Sequence, residues 1–328
     1  MPKPNKWTIL AVAVSCALVS AACGGGGGGS ASSSATQITF SLTPAASSTC
    51  LKVTADRGEF GKQGLALKLV PAPPTSSAQI AQILNGQVTA GLGAASALIS
   101  AVARKLPVAI TNGNDQDYDV DGQTAFAVMV DKKSGITSIQ QLQGKTVAVN
   151  SLKGSWEISL REAVAAKGGD PDKVKLLAVP FADQAAALKS GRVDAVSTLQ
   201  PFISTLGQDG LVSIGDPQAS ALGHPDSAGS VTFMSRKYLA SHGDLVKKFV
   251  DTMTAGAAWC NAHPDEMRKA IAAFTKVPQK VVDAAPVPKY TTDVSPEDVD
   301  HWASLLVKYH VIDKAPPTSE LLRTGAAS

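Results

Sequence analysis

The sequence repeats one pattern, and this repeat limits the possible folds more than any other feature. The stretches "AQILNGQVTAGLGAASALIS" (81–100) and "AAALKSGRVDAVSTLQPFIS" (185–204) each have the order helix, glycine, strand and helix. Gly86 and Gly191 are 191 − 86 = 105 residues apart, and each fits the left-handed stop of a helix. The repeat therefore predicts two similar α/β lobes.

Short β-rich runs alternate with amphipathic stretches in both copies, which predicts layers of helices and strands. The predicted strands are 38–43, 66–72, 89–94 and 107–111 in the first copy and 146–151, 174–180, 193–198 and 211–215 in the second; the predicted helices include 78–84 and 95–103. The strand starts keep the spacing of the repeat within a few residues, since 146 − 38 = 108 and 211 − 107 = 104.

Two further β-like runs, 122–135 and 229–239, follow the two copies. They indicate that the chain enters the second lobe once and returns once. We therefore expect residues 37–122 and 217–328 to form lobe 1 and residues 123–216 to form lobe 2. Ligands of α/β sheets bind beyond the carboxyl ends of the strands, so the cleft between the lobes is the expected site.

The N-terminal segment has the order of a secretory signal. Lys3 and Lys6 precede an apolar run from Trp7 to Val19, and small residues follow that run. The run is too short and too rich in alanine for a membrane span, which needs about 20 apolar residues. We therefore predict that residues 1–22 are a signal peptide.

The residues around Cys23 resemble a lipoprotein signal. The motif "VSAAC" (19–23) ends in the cysteine that such signals lipidate, although Ser20 stands where they usually carry Leu. In this interpretation Cys23 is the lipidated first residue of the mature chain, on the outer face of the cell membrane. Residues 23–36, rich in Gly and Ser, are then a flexible tether. Ordinary cleavage after Ala22, which releases a soluble exported protein, is the alternative.

The charge of the chain gives no sign of a nucleic-acid partner. Removal of residues 1–22 lowers the formal net charge from +3 to +1, because Lys3 and Lys6 are the only charged residues lost. A near-neutral chain without a basic run offers no electrostatic surface for nucleic acid.

Cys50 and Cys260 are the cysteines that remain once Cys16 and Cys23 are assigned to the signal. An exported chain folds in a compartment that permits disulfides. Cys260 shares a helical face with Met253 and is expected to point inward, while Cys50 opens the first helix of the same lobe. A disulfide and a pair of buried free thiols are both open at this point.

Motifs of enzymatic chemistry are incomplete. The stretch "GKT" (144–146) lacks the earlier glycine of a phosphate loop, because Ile139 stands there, and a strand-like run follows it. The five histidines are scattered, and neither G-x-S-x-G nor H-E-x-x-H occurs. We therefore expect a protein that is not an enzyme and that has no metal or cofactor.

One acidic stretch imitates a calcium loop. "DYDVDG" (117–122) has acids at alternating positions, but Val128 stands where the loop needs a bidentate Glu. We expect an acidic, solvated loop over 115–121, with a weaker cation site as the open alternative. Asp115 or Asp117 would edge the cleft and disfavour a purely anionic solute.

Four stretches share their order and spacing with one known family. They are "EFGKQGLALKLVPA", "ILNGQVTAGLGAASALISAVARKLPVAI", "SGITSIQQLQGKTVAVNSLKGS" and "AALKSGRVDAVSTLQPFI". Over about residues 38–315 the chain resembles the nitrate/sulfonate/taurine family of transporter solute-binding proteins. The resemblance implies a type II periplasmic-binding-protein-like fold, with two α/β lobes joined by two crossing strands. It also implies a monomer that closes on a small solute and delivers it to an ABC permease with its ATPase.

The resemblance leaves the solute open. Leu199-Gln200-Pro201-Phe202 stands where the family often carries Trp-Glu-Pro-Phe, so a ring and a negative charge are missing. Sulfonates, taurine, nitrate and a pyrimidine all remain candidates. Two other functions are also open. One is an enzyme making a pyrimidine precursor of thiamine, which relies on a Cys-rich metal-binding motif absent here, and the other is a surface sensor.

Hydroxyl side chains follow the predicted strands at the starts of helices. Free backbone amides and hydroxyls at helix starts bind polar groups, although such a hydroxyl often caps its own helix instead. From these positions and from the resemblance, the expected ligand-binding residues are Ser47, Ser48, Thr49, Ser76, Ser77, Ser96, Asn114, Ser151, Gly154, Ser155, Trp156 and Gln200.

Two of these residues have specific alternatives. The stretch "KGS" (153–155) resembles a segment that contacts ligand in the family, and Ser155 is also a candidate N-cap of its helix. Trp156 either contacts the solute or packs on Leu160 and Val164, which share its helical face.

Overall fold

The computed structural model describes residues 36–116, 119–120, 123–222 and 227–323 of the 328-residue chain. The predicted signal peptide, Cys23 and the rest of the predicted tether up to residue 35 lie outside these residues. Thr36, which we assigned to the tether, is instead the first residue of a strand, because its backbone pairs with Leu65 of the neighbouring strand.

The strands of the described residues lie close to the predicted positions. They are β1 (Thr36–Leu42), β2 (Leu65–Pro71), β3 (Ala90–Gly93), β4 (Val108–Gln116), β5 (Asp119–Val120), β6 (Gln123–Thr124), β7 (Phe126–Asp131), β8 (Thr146–Val149), β9 (Lys175–Ala178), β10 (Ala195–Leu199), β11 (Leu211–Ser213) and β12 (Ala228–Ser235).

Helices lie between and after the strands. They are α1 (Thr49–Asp56), α2 (Glu59–Lys62), α3 (Ser76–Leu84), α4 (Ala95–Ala103), α5 (Ser155–Ala166), α6 (Phe181–Lys189), α7 (Phe202–Gln208), α8 (Arg236–Ser241), α9 (Gly243–Ala262), α10 (Pro264–Thr275), α11 (Gln279–Asp283), α12 (Pro296–Lys308) and α13 (Thr318–Leu321). Single turns of 3-10 helix lie at Lys132–Ser134, Ile139–Leu142 and Pro171–Lys173.

The two main sheets have the same strand order, which confirms that the sequence repeat is a structural repeat. The first sheet has the order β2-β1-β3-β12-β4, and the second has the order β9-β8-β10-β7-β11. Within each sheet the first three strands are parallel. β12 and β7 are antiparallel to both of their neighbours and occupy the equivalent place in each sheet.

These two antiparallel strands come from the runs that we expected to cross between lobes. β7 lies within the run 122–135, and β12 overlaps the run 229–239. In its sheet β7 lies between β10 and β11, and β12 lies between β3 and β4. The fold is therefore α/β, with two lobes and two crossing segments, as the sequence predicts.

The glycines of the repeat end their helices in the predicted way. Gly86 follows α3 and Gly191 follows α6, with φ angles of +73° and +71°. A left-handed residue at this position costs a side chain about 1 kcal/mol or more, and glycine avoids that cost.

β4 is longer than predicted, because its second half looks like a loop in the sequence. The polar residues from Asn112 to Gln116 continue the strand and pair with β12. On the other side, Gly113 donates its amide to the carbonyl of Thr292 over 2.9 Å, and Gln116 does the same to Lys289. Gly113 is required there, since a Cβ would lie 2.4 Å from the carbonyl oxygen of Asp293. The long-range pairing of the backbone therefore overrides the local polarity.

A disulfide joins Cys50 in α1 to Cys260 in α9, with Cα atoms 6.0 Å apart. Both residues are buried in a small cluster with Ala257, Met267 and Tyr290. The structure thus selects the bridge over the free thiols that the sequence left as the alternative. It also anchors the start of α1, directly after the loop that borders the cavity described below.

None of the helices within the described ranges is long and apolar enough to cross a membrane.

Candidate functional site

The candidate site is a cavity of about 230 Å³ at the carboxyl ends of the strands of both sheets. From the first sheet come the loop after β1, with Ser47 and Ser48, and the segment 92–96, which runs from the end of β3 into the start of α4. From the second come the start of α5, with Ser155 and Trp156, and the end of β10, with Leu199 and Gln200. This is the position that parallel α/β sheets favour for ligands.

The starts of two helices supply hydroxyl groups at the cavity wall. Ser96 is the second residue of α4 and Ser155 is the first residue of α5, and both line the cavity. Neither hydroxyl hydrogen-bonds to another part of the chain that the structure describes. Both helices begin without a side-chain cap, so their first amides are also free to bind a polar group.

The expectation that Ser155 caps helix α5 is wrong. We considered Ser155 as the cap of α5, but Gly154 occupies the N-cap position and Ser155 lies inside the helix. Glu157 explains the difference, since its carboxylate accepts the backbone amide of Lys153 over 2.8 Å and holds the chain just before the helix.

Ser48 and Thr49 hold the loop after β1 rather than offering free hydroxyls. Ser48 donates to the carbonyl of Thr43 over 2.6 Å, and Thr49 donates to the carbonyl of Ala45 over 2.8 Å. Ser48 borders the cavity, but Thr49 does not. Ser47 borders it as well and is only partly buried.

The other expected residues do not line the cavity. Ser76 packs against Gly93, where an added Cβ would lie 2.8 Å from its Oγ, and Ser151 stands in the same relation to Gly154 at 3.0 Å. Asn114 donates to the carbonyl of Ser47 over 2.9 Å. The residues that the structure does not bring to the cavity are Thr49, Ser76, Ser77, Asn114, Ser151 and Gly154.

Three aromatic side chains form one wall, which we call the aromatic cluster: Phe126, Trp156 and Phe181. The rings of Phe126 and Trp156 meet edge to face at 5.5 Å, and those of Trp156 and Phe181 do so at 4.8 Å. Trp156 also packs on the core that contains Leu160 and Val164. The two roles that the sequence left open for Trp156 are therefore compatible.

Two glutamine side chains line the cavity and are buried. Gln200 accepts the hydroxyl of Ser204 through Oε1 over 2.9 Å, which leaves its amide hydrogens available. Gln218 accepts the hydroxyl of Ser159 in α5 over 2.5 Å. This second bond ties α5 to the segment that precedes β12.

Asp115 places a carboxyl group in the cavity wall near the end of β4. Asn114 donates to its Oδ1 over 3.2 Å, and the hydroxyl of Ser230 in β12 donates to the same oxygen. Burial raises the pKa of Asp115 from its ordinary value of 3.8 to about 6, although these hydrogen bonds oppose the shift. Asp117, the other acid considered for this edge, lies outside the described residues.

Several lining residues were missed in the sequence: Phe126, Phe181, Gln218, Ser230 and Trp302. Phe181 could have been found, because it opens the helix after β9 just as Ser76 opens the helix after β2. Ser230 carries no local signal, since only the pairing of β4 with β12 brings it to Asp115.

Most of the acidic stretch 117–122 lies outside the described residues, and only the backbone of residues 119–120 is described. Asp119 and Val120 pair with Gln123 and Thr124 as a short hairpin rather than a loop. Nowhere in the described ranges do three or more His, Cys, Asp or Glu side chains gather in a way that could hold a metal ion.

Comparison with known proteins identifies the family. A sequence model described as "NMT1/THI5 like" matches residues 46–267, which include the starts of α1, α4 and α5 and most of the cavity wall. The chain belongs to the NMT1/THI5-like family. Among curated proteins, the Bacillus subtilis chain named "Putative aliphatic sulfonates-binding protein" is 24% identical over 164 residues. That alignment spans 50% of this chain and 48% of the relative, about half of each.

Solved structures share the fold at low sequence identity. The periplasmic aliphatic sulphonate binding protein of Escherichia coli superposes with a TM-score of 0.70 at 18% identity, over 89% of this chain and 92% of that chain. The periplasmic nitrate-binding protein of Synechocystis superposes with a TM-score of 0.71 at 13% identity, over 84% and 82%. A ligand-binding component of an ABC-type import system from Staphylococcus aureus superposes with a TM-score of 0.74 at 14% identity, over 89% of this chain and 99% of that chain. The NMT1/THI5-like chain thus has the periplasmic-binding-protein fold.

Proposed function

We propose that this protein is the extracytoplasmic solute-binding component of an ABC importer. It captures a small solute of the size of a sulfonate, taurine, nitrate or a related organic molecule in the cavity and performs no chemistry on it. The observation that carries the proposal is the cavity itself. It lies at the carboxyl ends of the strands of both sheets, and its wall consists of helix starts and the aromatic cluster. The fold and the relatives named above, which are binding proteins, support it.

The same geometry supports a hinge mechanism. Lobe 1 would comprise residues 37–122 and 217–328 and lobe 2 residues 123–216, so that only two crossings connect them. Ser47 and Ser96 would meet the solute from lobe 1, and Ser155, Trp156 and Gln200 would meet it from lobe 2. A ligand that contacts both lobes favours the closed arrangement by its extra contacts there.

We expect the two lobes to close on the bound solute. Native mass spectrometry of the purified protein would identify the retained solute, and the stripped protein would then be titrated with it. Small-angle scattering should show a monomer whose radius of gyration falls as the solute binds. An unchanged radius at saturating solute would contradict the hinge mechanism.

Variants test the assigned residues in the same titration. Ser155→Ala should raise the solute concentration needed for closure at least about tenfold, because it removes a hydroxyl that bonds only to solute. Ser77→Ala is the matched control, since Ser77 also lies in the first turn of a helix but outside the cavity, and it should bind like the wild type. An equal effect of both variants would remove Ser155 from the site.

We also propose that Cys23 carries a lipid that holds the protein at the outer face of the cell membrane. In cells that export the protein, Cys23→Ala should move it from the membrane fraction to the soluble fraction. Cys16→Ala is the control, because Cys16 lies within the predicted signal peptide and its loss should leave the protein at the membrane. Continued membrane association of Cys23→Ala would refute the anchor.

A further inference from the structure

The charge of the cavity wall narrows the class of solute. Among the described residues that line the cavity, Asp115 alone has an ionisable side chain, and no Lys, Arg or His accompanies it. Asp115 is only 6% exposed, and no ion pair joins it to a basic side chain of the described residues. A buried carboxylate normally has a cationic partner, because burial without one disfavours its charge.

The hydrogen bonds of Asp115 do not supply that partner. Its Oδ1 is held by two neutral donors, Asn114 Nδ2 at 3.2 Å and the hydroxyl of Ser230. Asn114 is itself fixed by the carbonyl of Ser47 and by Ser230 at 3.1 Å. This network orients the carboxyl group at the cavity wall but leaves its charge uncompensated.

The rest of the wall suits an apolar body next to a positive charge. The aromatic cluster presents the rings of Phe126, Trp156 and Phe181, and Trp302 also borders the cavity. Aromatic rings attract cations and also stack on flat or aliphatic groups. A simple inorganic anion would gain neither contact and would be repelled by an ionised Asp115.

We propose that the solute carries a positively charged nitrogen, in an amine or amidine group, that pairs with Asp115 while its apolar body rests on the aromatic cluster. The inference rests on the proposed function and specifies its substrate class. The free hydroxyls of Ser96 and Ser155 would meet a polar group at another end of the same molecule.

Three probes of similar shape and different charge test the proposal on the full-length protein. They are benzamidine (cationic), benzamide (neutral) and benzenesulfonate (anionic), each measured by isothermal titration calorimetry at pH 7.5. Benzamidine should bind at least tenfold more tightly than either of the others. Asp115→Asn should weaken benzamidine at least tenfold and reduce its advantage over benzamide to less than threefold.

The control variant is Asp313→Asn, which makes the same change at an exposed carboxylate away from the cavity and should bind benzamidine like the wild type. Circular dichroism and thermal unfolding would show that Asp115→Asn is folded. Binding of benzenesulfonate without binding of benzamidine, or an unchanged affinity in Asp115→Asn, would overturn the inference and leave the proposed function standing. Failure of all three probes to bind, together with no solute retained in native mass spectrometry, would overturn both.

Discussion

Replacing Cys50 and Cys260 together by alanine is expected to lower the free energy of unfolding by up to about 5 kcal/mol. The disulfide closes a loop with a sequence separation of 210 residues, so it removes many conformations from the unfolded chain. The sulfurs are also buried in a cluster with Met267 and Tyr290, and their removal costs packing in the native state. Urea unfolding of the double variant against the wild type measures the loss.

Reduction provides a matched control for this prediction. Reduced wild-type protein should unfold close to the double variant, because both lack the covalent link. In a chain that also carries Cys16→Ala and Cys23→Ala, thiol titration of the unfolded, unreduced protein should find no free thiol. Free thiols in that titration, or a double variant as stable as the oxidised wild type, would contradict the bridge.

The bridge should affect ligand binding less than stability. It anchors α1, and the loop before α1 contributes Ser47 and Ser48 to the cavity. Ser48 is also held locally, by its bonds to the carbonyls of Thr43 and Ala45. The folded double variant should therefore retain most of its affinity for the solute.

Asp115→Asn is expected to stabilise the ligand-free protein by up to about 3 kcal/mol at pH 7.5. The pKa of Asp115 rises from 3.8 when exposed to about 6 in the folded protein, because burial disfavours the ionised form. The folded state binds the proton more tightly, so this contribution to stability is complete below pH 3.8 and is lost as the pH rises through 6. The asparagine side chain of the variant stays neutral throughout, and its Oδ1 can accept the same donors from Asn114 and Ser230.

The pH dependence separates this effect from a general change in packing. The stability difference between Asp115→Asn and the wild type should grow between about pH 4 and pH 7 and stay constant above that range. Urea unfolding at several pH values measures it, with Asp313→Asn as the matched control at an exposed carboxylate. A difference independent of pH, or a less stable Asp115→Asn at pH 7.5, would contradict the prediction. The expected result would mean that the protein gives up stability to keep a charge for its solute.

The sequence alone determined the architecture of the folded part. The repeat around Gly86 and Gly191 and the alternation of strands and helices predict two similar α/β lobes, and both sheets have the predicted strands in the same order. These features could be predicted because the choice between helix and strand, and the residue at which a helix ends, depend on residues close together in the chain. For the same reason, the helix starts at Ser96 and Ser155 were correctly located after their strands.

Only the tertiary structure decided the chemistry of the site. The polar half of β4 looks like a loop, and its burial depends on β12 and on the segment around Lys289 and Thr292, far away in the sequence. That pairing gives Asp115 its partner Ser230 and removes its carboxyl group from water. Ser48 and Ser155 look alike in the sequence. In the folded protein, however, the hydroxyl of Ser48 donates to the carbonyl of Thr43, whereas the hydroxyl of Ser155 stays free. The physical reason is that burial and hydrogen-bond competition are set by long-range contacts, which local sequence patterns do not encode.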